Sequence, residues 1–304
     1  MRWEAVAASI ASATGTAFRI TECAELGGGC INRGYRVAGG GAVYFVKVNI
    51  AARRSMFDAE AEGLRAIAQT RAVRVPSPLC ASEDQEHSWL VLEHLDLMPN
   101  STQTLGGTQT PDRTQTMAAL GQQLAHLHRA SAARFGWHRD NTIGATPQPN
   151  LWTESWVEFW RTQRLAFQLQ LAARNGHTGG LQRRGEQLLV RLDALLAHDP
   201  APSLLHGDLW GGNAAATAAG EPVLFDPACY YGDRETDLAM TELFGGFAPA
   251  FYSEYRAAWP LDAGYGARRD LYNLYHVLNH LNLFGGGYRA HAEGMIERLL
   301  SEVR

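Results

Sequence analysis

The pattern of apolar residues changes once along this chain, near residue 95, and that change limits the fold more than any other feature. Before it, β-rich runs around Tyr35–Val37 and Val43–Val48 alternate with glycine turns such as Gly39–Gly41, which is the pattern of a hairpin. The helical run FDAEAEGLRAIAQT follows, with Phe57, Leu64 and Ile67 on one stripe. VRVPSP then reads as a breaker, and SWLVLEHLDL as a strand running into a connector. After it, residues 99–111 turn to Ser, Thr, Gln and Gly, which predicts a solvated loop. Helical spacing dominates from there on, with helices expected at about 153–174 and 181–197. The expected class is α+β. A small β-rich N-terminal lobe (residues 1–95) precedes a larger, mostly helical C-terminal lobe (96–304), and ligands favour the crevice between such units.

Composition removes several functions. With 46% hydrophobic and 19% charged residues the chain can bury a sizeable core, and its net charge of -4 comes with no Lys/Arg-rich tract. Nucleic acid is therefore not an expected partner. No run of 18 apolar residues predicts a membrane span, and the N-terminus reads as an amphipathic helix rather than a secretion signal. Cys23, Cys30, Cys80 and Cys229 show neither metal-ligand spacing nor a disulfide framework, so a cytoplasmic location is expected.

The chemistry concentrates in two places. In HGDLWGGN, Asp208 and Asn213 lie five apart, and Asp226 follows Asp208 by 18 residues at the end of the apolar run VLF. Asn213 and Asp226 converging from loops suit Mg²⁺, a hard ion that takes oxygen ligands together with nucleotide phosphates. Asp208 is then left to orient and deprotonate an attacking hydroxyl, the division of labour of kinase sites. Taken singly, each of these side chains could equally cap a turn. In the first lobe, Gly28 and Gly29 within GGGCIN give a backbone able to close over phosphates. Lys47 lies in the strand YFVKV, where an ammonium needs a partner. Glu60 shares a helix face with Phe57 and Leu64 and is the favoured partner, with Glu62 the rival.

Together GGGCIN, FVKVN, MFDAEAEGL, LVLEHLDL, HGDLWGGN, LFDPACYYGDRETDLAMTELFGGF and YNLYHVLNHLNLFGGGY resemble the fructosamine kinase (ketosamine-3-kinase) family. That family is related to aminoglycoside and choline kinases and shares the protein-kinase-like fold. The resemblance implies ATP-dependent phosphorylation of the sugar O3 of a ketoamine, leading to deglycation. It implies Asp208 as base, Asn213 and Asp226 as Mg²⁺ ligands, Lys47 with Glu60 as the phosphate-positioning pair, and the backbone of Glu93, His94 and Leu95 as the adenine contact. It also implies that Cys30, next to the glycines, is a redox-sensitive position, the alternative being an inert small side chain. The chain is expected as a monomer or homodimer.

Other residues have weaker claims. Trp210 reads either as core or as an apolar wall for the sugar. Tyr272, His276 and Asn279 form a polar stripe on an apolar helix, either solvated or facing the substrate side of the cleft. The rival function is a kinase of cationic small molecules, of aminoglycoside or choline type, for which Asp233, Glu235 and Glu242 would be available carboxylates. Trp210 and the FGGF segment favour the ketoamine reading.

Overall fold

Alternation in the first lobe becomes a sheet with a helix on each face. In this computed structural model, which describes residues 1–27, 31–98 and 112–303, α1 (Trp3–Thr14) precedes strands β1 (Glu22–Leu26), β2 (Arg33–Gly39) and β3 (Ala42–Ile50). Helix α2 (Arg54–Thr70) follows, then β4 (Pro78–Glu83) and β5 (His87–Glu93). The five strands pair antiparallel in the order β1-β2-β3-β5-β4. Gly40 and Gly41 join β2 to β3 with φ of 56° and 80°, the two positive values that a tight hairpin matching strand twist requires. Side chains of alternating parity serve the two helices. Val46, Val48, Trp89 and Val91 pack on Val6 and Ile10 of α1, whereas Leu90 and Leu92 pack with Phe57, Leu64 and Ile67 of α2. Lys47 therefore emerges on the α2 side.

The segment expected as a breaker lies outside any strand up to Ser77, and its last residue begins one. Pro78 opens β4, which lies at the sheet's edge, and the first residue of an edge strand is where a missing N–H costs least.

Beyond the connector, β6 (Leu97–Met98) joins β10 (Ala214–Thr217) and β11 (Pro222–Leu224) in a three-stranded sheet. Helix α3 (Arg113–Leu127) is capped by Asp112, which accepts the Thr114 N–H at 2.8 Å. A short hairpin, β7 (Asn141–Ile143) and β8 (Thr146–Gln148), follows α3. The helix expected at 153–174 starts at α4 (Trp156–Phe159), passes through a π-helical stretch (Trp160–Ala166) and ends as α5 (Phe167–Arg174). The next expected helix divides into α6 (Gly180–Val190) and α7 (Leu192–Leu195). Strand β9 (Ser203–Leu205) pairs with β12 (Tyr230–Gly232). The chain closes with α8 (Glu235–Leu243), α9 (Pro249–Ala258), α10 (Tyr265–Phe284) and α11 (Tyr288–Glu302). One apolar cluster runs from Phe57 and Leu64 of α2 through Leu124 of α3 to Leu278 of α10, so α2 is shared by both lobes. No helix among the described residues is long and apolar enough to cross a membrane.

Helices α3 and α9 come closest at Gly121, where a Cβ would lie 2.2 Å from the Phe251 carbonyl oxygen. Gly121→Ala is expected to lower stability by about 1–3 kcal/mol in chemical denaturation, as overpacking does. Gly266→Ala, on a helical glycine with nothing within 4 Å, is the contrasting case and should be neutral or stabilising by up to about 1 kcal/mol. Equal effects of the two would contradict the close approach.

Candidate active site

Apolar strands that end abruptly in polar residues aim those residues at one crevice. β9 delivers His206, Gly207 and Asp208, and β11 delivers Asp226. A cleft of about 800 Å³ lies between these loops and the sheet, lined by Lys47, Glu60, Glu93, His94, Leu95, Asp208, Trp210, Asn213 and Asp226. Nine of the expected site residues are thus brought together. Gly28, Gly29 and Cys30 lie outside the described residues.

Lys47 ties the lobes together. Its ammonium, 5% exposed, donates to Glu60 Oε1 at 2.6 Å and to Asp226 Oδ1. Burial pulls its pKa down, but Asp226 and Glu60 outweigh that and hold it above the ordinary lysine range. Burial raises the Glu60 carboxyl against the opposing pull of Lys47. The rival Glu62 faces elsewhere, bonded to His138 at 2.9 Å and Arg139 at 2.8 Å, and so pins α2 to the second lobe.

The HGD turn has its own anchor. Asp237, at the start of α8, accepts the N–H groups of His206 at 2.7 Å and Gly207 at 2.9 Å, and contacts His128 Nε2 at 3.1 Å. Burial alone would raise its carboxyl; the His128 bond and the nearby histidines hold it below the usual value. His206 Nε2 donates to the Phe225 carbonyl at 3.0 Å, which leaves Nδ1 to accept the Asp208 N–H at 3.3 Å. Burial lowers the His206 pKa and keeps the ring neutral for that task. Gly207 has φ +82°, and a Cβ there would lie 2.2 Å from the Ala228 carbonyl oxygen, so only glycine fits. Asn213 donates to the Asp208 carbonyl at 2.8 Å and carboxylate at 3.2 Å. Its Nδ2 is committed there, and Oδ1 is the atom it can offer a cation. With the Asp226 carboxylate this is a hard oxygen donor set, which fits Mg²⁺. Asp226 itself holds φ +58°, a strained value for a non-glycine residue.

A network that the sequence did not reveal supports that strained turn. Asn141 donates to the Cys229 carbonyl at 2.8 Å, and Gln148 to the Ala228 carbonyl at 3.1 Å. Gln148 and Asn150 both donate to Asn141 Oδ1, and Arg164 donates to Asn150 Oδ1 at 2.8 Å. The Arg164 guanidinium is fully buried over the Tyr230 and Phe159 rings at 4.1 and 4.5 Å. These partners are scattered over a turn-rich stretch and a helix, without any spacing that would betray them. Leu26, Phe45, Leu92 and Met98, also missed as site residues, give the cleft apolar walls. The Glu93 carboxylate turns to Arg74 and the Ser77 N–H, so its backbone is what it can offer a ligand.

Three expected substrate residues are misplaced. Tyr272, His276 and Asn279 are at most 5% exposed and do not line the cleft. Tyr272 donates to Asp233 and accepts from Trp156 Nε1 at 3.0 Å. Burial, with His280 nearby, pushes His276 down to about 3. Asn279 meets Gln168 and the Ile143 carbonyl. Their polar stripe is internal because α10 runs through the middle of the lobe, between α5, α8 and α11, and buried polar groups there bond one another.

The sequence profile described as fructosamine kinase matches residues 2–302. A Synechocystis protein described as a probable ketoamine kinase is 49% identical over 98% of this chain and 97% of its own. The chloroplastic protein-ribulosamine 3-kinase of Arabidopsis thaliana is 41% identical over 95% of this chain and 86% of its own. A crystal structure described as a "putative fructosamine-3-kinase" from Haemophilus somnus superposes with a TM-score of 0.87 at 30% identity, covering 98% of this chain and 97% of the other.

Burial and the neighbouring Asp226 push the Asp208 carboxyl from 3.8 up to about 7. Because the folded value exceeds the unfolded one, the folded protein loses stability as pH rises through this window. Asp208→Asn, free of nucleotide and metal, should therefore be more stable than the wild type at pH 8, by about 1–3 kcal/mol, with the gap closing toward pH 4. A gap that does not vary with pH in thermal unfolding would contradict this.

Proposed function

The chain belongs to the fructosamine kinase family, and from that premise and the geometry of the cleft we propose that it transfers the γ-phosphoryl group of ATP to O3 of a ketoamine sugar. The observation that carries this reading is the convergence of Asp208, Asn213, Asp226 and the Lys47–Glu60 pair on one cleft. The apolar walls from Leu26 to Met98 suit an adenine, with the backbone of Glu93, His94 and Leu95 alongside. We place the division of the lobes here, between 1–95 and 96–304. Lys47, kept charged and oriented by Glu60, meets the phosphates. Asn213 and Asp226 would hold Mg²⁺, which when bound neutralises phosphate charge.

Asp208 orients the acceptor hydroxyl and takes its proton as the O3–phosphorus bond forms and the bond from phosphorus to the ADP oxygen breaks. A carboxyl raised to about 7 is a better base than an ordinary aspartate at neutral pH, although most of the acceleration in such reactions comes from positioning and electrostatics. The 3-phosphate then favours loss of the sugar and frees the amine, a deglycation. Fructosamine and ribulosamine adducts, free or on protein lysines, are the substrate class. A cytoplasmic location and a monomer or homodimer are part of this reading.

The rival acceptor, an aminoglycoside or choline-like cation, loses its proposed carboxylates. Asp233 is bonded to His198 and Tyr272, Glu235 to Arg268, and Glu242 to Tyr265 and Arg269. Asp233 and Glu235 are also buried.

The test is ATP consumption with Mg²⁺ against ribulose-lysine, fructose-lysine, kanamycin and choline. Turnover is expected on a ketoamine. Asp208→Asn should lower kcat by at least about a hundredfold, the low end of general-base contributions, with nucleotide affinity nearly kept. Asp226→Ala should weaken both turnover and Mg²⁺-dependent nucleotide binding. Turnover on kanamycin or choline alone would move the protein to the rival class.

A further inference from the structure

An aromatic surface continues out of the cleft beyond the groups used above. Trp210 lines the cleft and is 41% exposed. Its ring meets Phe244, 43% exposed at the end of α8, edge-on at 6.5 Å. Phe244 meets His280 at 4.9 Å, and His280 meets Phe284, 56% exposed, at 5.5 Å.

The track is built into the catalytic loop. A Cβ on Gly212 would lie 2.2 Å from the Trp210 ring, so the indole packs directly on that glycine. A Cβ on Gly246, whose φ is +100°, would lie 2.9 Å from Gly211 Cα. The two glycine pairs thus press the Phe244 loop against the Trp210 loop, backbone to backbone, and fix the rings relative to Asp208. Single exposed apolar residues are ordinary on a protein surface, but rings joined into a track at the mouth of a cleft mark a ligand groove.

We propose that Trp210, Phe244 and Phe284 form the subsite for the amine-side arm of the acceptor, taking the cationic nitrogen and alkyl chain of a lysine that carries the sugar. This rests on the ketoamine reading above. The nucleotide fills the sheet side of the cleft, the sugar must reach Asp208, and the substituent on sugar C1 leaves past Trp210. The carboxylates Asp233, Glu235 and Glu242 are paired elsewhere, so the arm's ammonium is held by ring faces rather than by ion pairs, and its methylenes by apolar contact. The favoured substrate is accordingly a lysyl or peptidyl ketoamine rather than the adduct of a small amine.

The experiment compares kcat/KM for two ribulose adducts, one on methylamine and one on the lysine Nε of a short blocked peptide. The wild type should prefer the peptide. Phe244→Ala and Phe284→Ala should each shrink that preference by about two- to fivefold, the weight of the apolar contact made by about one buried methylene, mainly through KM. Phe244→Gln and Phe284→Gln, which keep side-chain length without the apolar ring, give the same readout if an alanine variant misfolds. A preference unchanged in all folded variants overturns the proposal, as does a wild-type dimer that dissociates in Phe244→Ala with the preference intact, since the track would then serve a second copy. If the wild type phosphorylates neither adduct, the ketoamine reading itself fails and takes the proposal with it.

Discussion

A buried ammonium with two carboxylates on different lobes is the constraint around which this structure is arranged. Lys47 is set in the middle of a sheet, where an unpaired charge would be costly, and its partners are Glu60 on α2 and Asp226 beyond β11. Satisfying it requires α2 to lie against the open face of the sheet and the Asp226 turn to rise toward it. The apolar cluster shared by α2 and the second lobe, and the Glu62 clasp with His138 and Arg139, hold the first of these. The Asn141–Gln148–Arg164 network and the Asp237 anchor hold the second. Lys47 thus fixes the spacing between the Glu60 and Asp226 carboxylates before any ligand enters.

What such a cleft can do chemically follows from the division between charges that are spent and charges that are available. Deeper in the C-terminal lobe, His198, Asp233 and Glu235 lie close enough to suggest a cation site, but Asp233 is bonded to His198 and Glu235 to Arg268. In the cleft, burial and, after it, repulsion from Asp226 raise the Asp208 carboxyl. That tension disfavours the resting ionised state and favours a base that accepts a proton, a common exchange of stability for reactivity.

Much of this was legible in the sequence because it depends on local geometry. HGDLWGGN sets Asp208 and Asn213 five residues apart on one loop, Lys47 needs strand alternation to face α2, and Glu60 needs helical phase with Phe57 to meet it. All three are periodicities or short spacings. The stripe of Tyr272, His276 and Asn279 was misread because helical phase says which residues share a face but not what that face meets. A helix surrounded by neighbours hides polar groups as readily as it presents them. The Arg164 network and the Phe244–Phe284 track were invisible for a related reason: their members come from separate elements and meet only after the C-terminal lobe has packed. β4 was hidden by Pro78, a residue that ends strands except at an edge.

The account's central claim is regiochemical: Asp208 faces the hydroxyl on the third sugar carbon. The direct measurement is a phosphorus–proton correlation spectrum of the product formed from ATP and ribulose-lysine. The account predicts a single phosphorus signal coupled to the proton on sugar C3, followed by slow appearance of free lysine. Phosphorus coupled to protons of another sugar carbon, or a stable product that never releases the amine, would contradict it.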